Sequence, residues 1–317
     1  MRITLKQLTV FDVVARTGSV RRAADEIAVS QSAASISLRD FEAHLGVALF
    51  ERRGRRLVLN EHGRRLMPRV HGLLAQAREI ELARDDDQLR GTLRIGAATS
   101  LGTYVLPPLL GAFLRQHPEV NVELSVLRST EVIGLVEDMV LDCGFIDSPC
   151  NRAGIAVTPW REDRLAIFAA PDHPLAARQR LGLADLKDAA WVLPPAGSAT
   201  RSTVTTAILG QLPNIRIALT TPNQEAIKRT VAAGGSIGCM SRNALAGEFR
   251  SGALKELAVE GMALDRMTSI IARSDAYESA ACRAFLDYAR LPSGDAARAP
   301  TRRRRGSQAA ALPARTA

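Results

Sequence analysis

Residues 19–50 hold two amphipathic segments separated by only three residues, a spacing that commits this part of the chain to two short helices meeting at a tight turn. Val20, Ala23, Ala24 and Ile27 recur at helical spacing, so one stripe of the first segment faces inward. Ala28-Val29-Ser30 breaks the pattern, and Ser30 is placed to cap the second helix. In that helix Ala34, Leu38, Phe41 and Leu45 cover a single face. At about 100° per residue, Ser32, Ser35, Ile36 and Arg39 emerge on the opposite side, with Gln31 at the helix start. Hydroxyls, an amide, a guanidinium and an aliphatic group make a plausible reader of base edges in a major groove. Helix pairs of this kind also occur in all-α domains that touch no nucleic acid, so spacing alone leaves both readings open.

The next ten residues weigh toward nucleic acid. Phe50 to Leu59 reads as a small hairpin turning at Gly54, with Arg52, Arg53, Arg55 and Arg56 around the turn. Guanidinium groups on such a wing pair with phosphate oxygens in a fork, and with Ser30 they are the candidate phosphate contacts. The charge distribution agrees. Residues 1–70 carry 13 Lys or Arg against 7 Asp or Glu, residues 71–290 carry 23 against 25, and residues 291–317 carry 6 against 1. The net charge of +9 therefore resides wholly at the two ends. That points to the N-terminal module as the nucleic-acid contact and excludes a uniformly basic surface.

A chain of 317 residues accommodates two or three domains with sizeable cores. No apolar run reaches membrane-spanning length, and the N-terminus enters an amphipathic helix (Leu5, Leu8, Phe11, Ala15) in place of a secretory leader, so a soluble cytoplasmic protein with no membrane partner is expected. Cys143, Cys150, Cys239 and Cys282 lack metal-ligand spacing, which favours reduced buried thiols and neither a metal nor a cofactor.

After the wing, Asn60 can cap a long helix running to about Asp87. Gly63, Leu66, Val70, Leu73, Ala77 and Ile80 form a heptad-like seam on it, expected to be a dimer contact because few neighbouring core elements exist to cover so long a stripe. Pro68 should kink this helix or mark a start. From residue 91 strands and helices alternate: strands at 93–97, 120–127, 141–146, 165–170, 191–193, 215–219, 236–240, 254–259 and 268–272, with helices at 104–116, 130–139, 200–211, 223–233, 241–249 and 276–290. This is an α/β pattern with largely parallel sheets, and its two clusters suggest two lobes around a cleft. Thr99, Ser100 and Thr103 follow the first strand, Thr130 opens a helix, and Ser198 and Thr200 open another across the cleft; hydroxyls at helix N-termini suit a small ligand such as an anion, although for any one of them simple capping explains the residue. Asp147, ending the third strand, would equally suit an amine.

Gln7-Leu8 with Phe11, Gly18-Ser19-Val20 with Ala23-Ala24, Ser30-Gln31-Ser32-Ala33-Ala34-Ser35, Phe41-Glu42, Leu45-Gly46 and Leu49-Phe50-Glu51-Arg52 together resemble the N-terminal domain of LysR-type transcriptional regulators. The likeness continues through Tyr104-Val105-Leu106-Pro107, His117-Pro118, Pro171-Asp172-His173-Pro174-Leu175 and Gly234-Gly235-Ser236-Ile237-Gly238, and spans residues 3–290. It implies a winged helix-turn-helix (1–60), a dimerising linker helix (61–88) and a two-lobed effector domain like a periplasmic binding protein (91–291), with lobe I at 91–162 and 266–291 and lobe II at 163–265. The resemblance further implies double-stranded DNA and a small metabolite as partners, a homodimer or homotetramer, contact with RNA polymerase as an open option, and no enzymatic activity. Ser32 and Ile36 depart from residues common in the family, so the operator is this chain's own. Ser198-Ala199-Thr200-Arg201 resembles a turn of relatives that sense small oxyanions or sulfur compounds, with Ala199 in place of glycine.

Other classes stay open. A solute-binding protein would share the C-terminal two-thirds but not the arginine wing, and an enzyme would need a nucleophile–base set that His117 and His173 do not supply. A DNA-binding architectural protein without effector is the nearer alternative. Residues 292–317, rich in Pro, Ala and Arg, read as a disordered basic tail.

Overall fold

A computed structural model describes residues 3–54, 56–82, 88–208, 215–262 and 264–291. The basic tail at 292–317, Arg55 and the end of the linker segment at 83–87 lie outside the described residues.

Three helices open the chain: α1 (Leu5–Thr17), α2 (Val20–Glu26) and α3 (Gln31–Leu45). Each has a side-chain cap. Thr4 and Gln7 form a capping box, Ser19 accepts from Arg22 N–H, and Ser30 Oγ accepts from Ala33 N–H at 3.1 Å. Phe11 lies at the centre, its ring 5.6 Å from Phe41 and 5.5 Å from Phe50. Strands β1 (Phe50–Arg53) and β2 (Arg56–Leu59) form the wing, registered Phe50 opposite Leu59, and Gly54 takes the left-handed φ of +63° that its turn requires.

Helix α4 (Glu61–Leu82) is capped by Asn60, whose Oδ1 accepts Gly63 N–H at 2.9 Å. It runs through Pro68 without a new start, and the proline is buried on the face that packs inward. The seam expected on this helix divides into two. Gly63 and Val70 turn with Met67 and Leu74 onto the protein's own core, so Val70 is an intramolecular residue; Leu73 and Ile80 are exposed, Ile80 at 76%, and Leu66 and Ala77 are half-buried.

The remaining chain builds one mixed nine-stranded sheet. In chain order its elements are β3 (Gly91–Ala98), a π-helical turn (Leu101–Val105), α5 (Leu106–Gln116), β4 (Val120–Leu127), α6 (Ser129–Glu137), β5 (Cys143–Ile146), β6 (Ile155–Ala169), β7 (Ala190–Leu193), α7 (Ala199–Ile208), β8 (Arg216–Thr220), α8 (Gln224–Ala232), β9 (Ile237–Ser241), α9 (Arg242–Ser251), β10 (Lys255–Glu256), β11 (Asp265–Arg273) and α10 (Ala280–Arg290). Strand order is β4-β3-β5-β11-β6-β9-β7-β8, with β10 paired to β6.

Pairing is parallel inside each lobe, as the alternation predicts, but β6 and β11 are antiparallel to each other and to their neighbours. These two strands carry the chain between lobes, and β6 is more than twice as long as the expected 165–170 segment because it begins at Ile155. Lobe I packs around Phe113, Phe145 and Phe285, lobe II around Trp191, Leu193 and Ile167. Met139 of lobe I belongs to the core of the N-terminal domain, so α4 and lobe I are in contact within one chain.

Candidate functional site

The first candidate is the outer face of α3. Its stripe of Ala34, Leu38 and Phe41 is buried, which fixes the rotation of the helix. Ser30, Gln31, Ser32, Ile36 and Arg39 are exposed and Ser35 is half-buried on the opposite side. Ile36 is 54% exposed. Its side chain is thus available to a partner on that face. Ser30 and Ser32 hydroxyls lie 3.0 Å apart at the N-terminus of α3, where the helix dipole favours a phosphate. Leu57 N–H donates to the Gly18 carbonyl at 2.9 Å, fixing the wing beside the α1–α2 turn. Arg52, Arg53 and Arg56 are exposed on it, and Arg53 is engaged by Glu51 at 3.0 Å; Arg55 lies outside the described residues.

The second candidate is a cleft of about 620 Å³ between the lobes. Thr99, Ser100, Thr130, Ser198 and Thr200 all line it. Thr103 does not: the chain after Ser100 winds into the π-helical turn, which carries Thr103 round to solvent. The first residues of α6, α7 and α8 face the cleft, so three helix N-termini converge there. Gln224 Oε1 is buried in the cleft wall with no hydrogen-bond partner among the described residues.

The floor of the cleft holds a charge cluster of which sequence reasoning found only Asp147. Arg266 Nη1 lies 2.9 Å from Asp147 Oδ2, and Arg266 Nη2 lies 2.7 Å from Asp163 Oδ2. Asp163 is 2% exposed and also accepts from Ser241 Oγ at 2.6 Å and Asn243 Nδ2 at 3.3 Å, both in lobe II. Asp147 accepts from Ser129 Oγ at 2.7 Å, and Arg266 Nη2 donates to Ser100 Oγ at 3.4 Å, both in lobe I. One guanidinium therefore ties the crossing strands to both lobes. The signal was present: Arg266 continues the period-2 face of Thr268 and Ile270, and Asp163 that of Leu165 and Ile167, which places two opposite charges on inward positions. Among the described residues no cluster of His, Cys, Asp and Glu is arranged to hold a metal ion.

Known proteins agree with this two-part layout. Residues 5–64 match the bacterial regulatory helix-turn-helix protein, lysR family, and residues 86–291 match the LysR substrate binding domain. The chain belongs to the LysR family. Its relative YeiE of Escherichia coli K12, an uncharacterized HTH-type transcriptional regulator, is 44% identical over 289 residues, 91% of this chain and 97% of YeiE. A full-length OxyR variant from Pseudomonas aeruginosa shares the fold at a TM-score of 0.73 with 24% identity, covering 92% of this chain and 96% of OxyR. The regulatory domain of Synechocystis PCC6803 CcmR, in complex with 2-PG, aligns at a TM-score of 0.59 and 26% identity over 63% of this chain and 96% of that domain. The protein is thus a LysR-type transcriptional regulator with a DNA-binding module and an effector-binding domain. No helix among the described residues is long and apolar enough to cross a membrane.

Proposed function

We propose that this regulator binds duplex DNA as a homodimer, or a tetramer of two dimers, and is tuned by a small metabolite held in the interlobe cleft. Gln31, Ser32, Ser35, Ile36 and Arg39 read base edges, while Ser30, Arg52, Arg53, Arg55 and Arg56 hold phosphates. The exposed outer face of α3, Ile36 included, in the same domain as a wing of exposed arginines, is the observation that carries this reading. The exposed and half-exposed residues Leu66, Leu73, Ala77 and Ile80 of α4 serve subunit pairing, which sets two reading helices on one duplex.

In the cleft, Thr99, Ser100, Thr130, Ser198 and Thr200 bind the effector. Convergent helix N-termini and hydroxyls support a small anion, and a volume of about 620 Å³ leaves room for a metabolite larger than an inorganic oxyanion. CcmR, with its 2-PG complex, is a fold relative that supports small-molecule binding in this domain. The chain acts as a regulator rather than an enzyme and works in the cytoplasm, with RNA polymerase as a contact at the promoter.

Selection of fragments from the parent genome on the purified full chain tests the DNA reading, and retardation of one or a few upstream fragments is expected. Failure to retard any fragment in low-salt buffer overturns it. For the effector, calorimetry against a panel of carboxylates and oxyanions should give one binder whose affinity falls about tenfold in Thr200→Val, with DNA affinity unchanged.

A further inference from the structure

Three parts of the chain meet at one imidazole. His71 Nδ1 on α4 lies 3.5 Å from Asp12 Oδ1 on α1, and His71 Nε2 lies 3.7 Å from Asp142 Oδ1 in the turn entering β5. None of the three side chains is more than 15% exposed. Carboxylates facing both ring nitrogens are served by one imidazole only when each nitrogen carries a proton. The bridge is therefore an imidazolium between two carboxylates, one in the DNA-binding domain and one in lobe I.

Asp142 is itself fixed to β3, since its Oδ2 accepts Arg94 N–H at 2.7 Å and its own N–H donates to the Arg94 carbonyl at 2.9 Å. The far end of β3 runs into Thr99 and Ser100 of the effector cleft. Gly72, next to His71, lets Tyr277 of lobe I approach so closely that a Cβ there would lie 2.9 Å from Tyr277 Cβ. The other charged groups around the node are already engaged: Arg273 by Asp275 and the Glu137 carbonyl, Glu278 by Arg283, and Arg290 by Asp287. They line, with His71 and Asp142, a cavity of about 280 Å³ that gives solvent a route to the pair.

We infer that His71 is the positioning residue that couples lobe I to the DNA-binding domain, by sharing its charge between Asp12 and Asp142. A shift of the β3–β5 end of lobe I moves Asp142 relative to the ring, and the DNA-reading unit then loses its fixed orientation through a link that breaks as a unit. Burial by itself would lower the pKa of His71, but the two carboxylates outweigh it and push it up to about 9, so the link is closed across the neutral range.

The coupling is a property of the free chain, so its test uses neither DNA nor effector and stands apart from the outcome of the fragment selection. In the full chain, a ¹³C-edited NMR titration, assigned by loss of one signal in His71→Gln, should show His71 titrating near pH 9. Asp142→Asn should lower that value by more than about 1 unit. Amide exchange in peptides covering α1 and residues 139–146 should rise roughly tenfold in His71→Gln at pH 7, with lobe II changing less than about twofold. In the wild type the same peptides should reach the exchange of the variant, after correction for intrinsic rates, once the pH passes 9. A ring that titrates at or below 6.5, or protection of α1 that is identical in His71→Gln at pH 7, overturns the coupling role. Where His71→Gln fails to fold, single Gln substitutions at His44, His62, His117 and His173 assign the remaining signal to His71 by elimination, and the titration of the wild type and of Asp142→Asn then decides the question.

Discussion

The hydroxyl of Tyr277 donates to Glu79 Oε2 at 2.7 Å, while Glu79 Oε1 accepts the Ala280 N–H at 2.8 Å. One carboxylate on the linker helix thus binds a loop of lobe I and satisfies an orphan donor at the start of α10. Tyr277→Phe removes one of these bonds and should destabilise the chain by about 1 kcal/mol. Glu79→Ala removes both and should destabilise it by about 2 kcal/mol. Urea unfolding gives the comparison, and equal losses in the two variants would show that the cap at Ala280 contributes nothing.

The His71 bridge makes stability depend on pH with a definite sign. Its pKa is about 9 in the folded chain against 6.5 as the ordinary value, so the folded state binds the proton more tightly. The stabilisation, ~3 kcal/mol for a shift of this size in a largely buried group, is fully present below pH 6.5 and fades as the pH rises through 9. The difference in unfolding free energy between wild type and His71→Gln should accordingly shrink between pH 7 and pH 10. A difference that stays constant over that interval would assign the loss in the variant to packing alone.

Much of this architecture was legible wherever one periodicity governed a segment. In α3 the inward stripe Ala34, Leu38, Phe41 is a clean helical repeat, and its outer face followed by geometry alone. In β3, β5 and β9 short apolar runs located the strands with only their ends displaced, and β4 lies where it was expected at both ends. The crossing strands were harder because they change environment along their length. Residues 155–162 of β6 are largely exposed and 165–169 are buried, so neither alternation nor an apolar run covers the whole strand.

Helix α4 misled for the opposite reason. The seam alternates steps of three and four residues, yet at about 100° per residue a step of three falls about 60° short of a full turn, which takes the side chain from the inward face at Val70 to the outward face at Leu73. At the cleft, hydroxyl residues at helix starts were found from composition, except Thr103, which a π-helical turn displaces. Arg266 and Asp163 each carry a local signal, a charge on an inward period-2 position, but their pairing spans 103 positions of sequence and no local pattern joins them.

That pair supports a sharp prediction. Arg266 balances Asp147 and Asp163, and both its own side chain and that of Asp163 are less than a tenth exposed. Arg266→Gln leaves two carboxylates facing each other with no cation between them, and should destabilise the chain by about 3–5 kcal/mol. Asp163→Asn leaves Arg266 paired with Asp147 at neutral net charge and should lose less than half as much. Chemical unfolding of both variants at pH 7 checks the order. A reversed order would mean that hydrogen bonding from Ser241 and Asn243, rather than charge balance, is the main role of the cluster.

The wing yields a prediction about salt. If a dimer neutralises about eight phosphates, log K should fall against log salt with a slope near −7, and each phosphate contact removed should reduce its steepness by about 0.9. Arg56 is exposed and forms no ion pair with the described residues, so Arg56→Ala in both subunits should flatten the slope by nearly 2 and weaken all sequences alike. Arg53 differs, because Glu51 already holds its guanidinium at 2.9 Å and a phosphate must displace that carboxylate. Glu51→Gln should therefore tighten binding without steepening the slope by a full contact. Ser35→Ala and Ile36→Ala, on the face of α3, should leave the slope untouched and cost roughly 1–3 kcal/mol of discrimination at the base pair each one meets. Fluorescence anisotropy over a salt series, on the selected fragment and on a scrambled one, separates these outcomes. A slope that flattens with Ile36→Ala, or a loss confined to one sequence with Arg56→Ala, would exchange the roles of helix and wing.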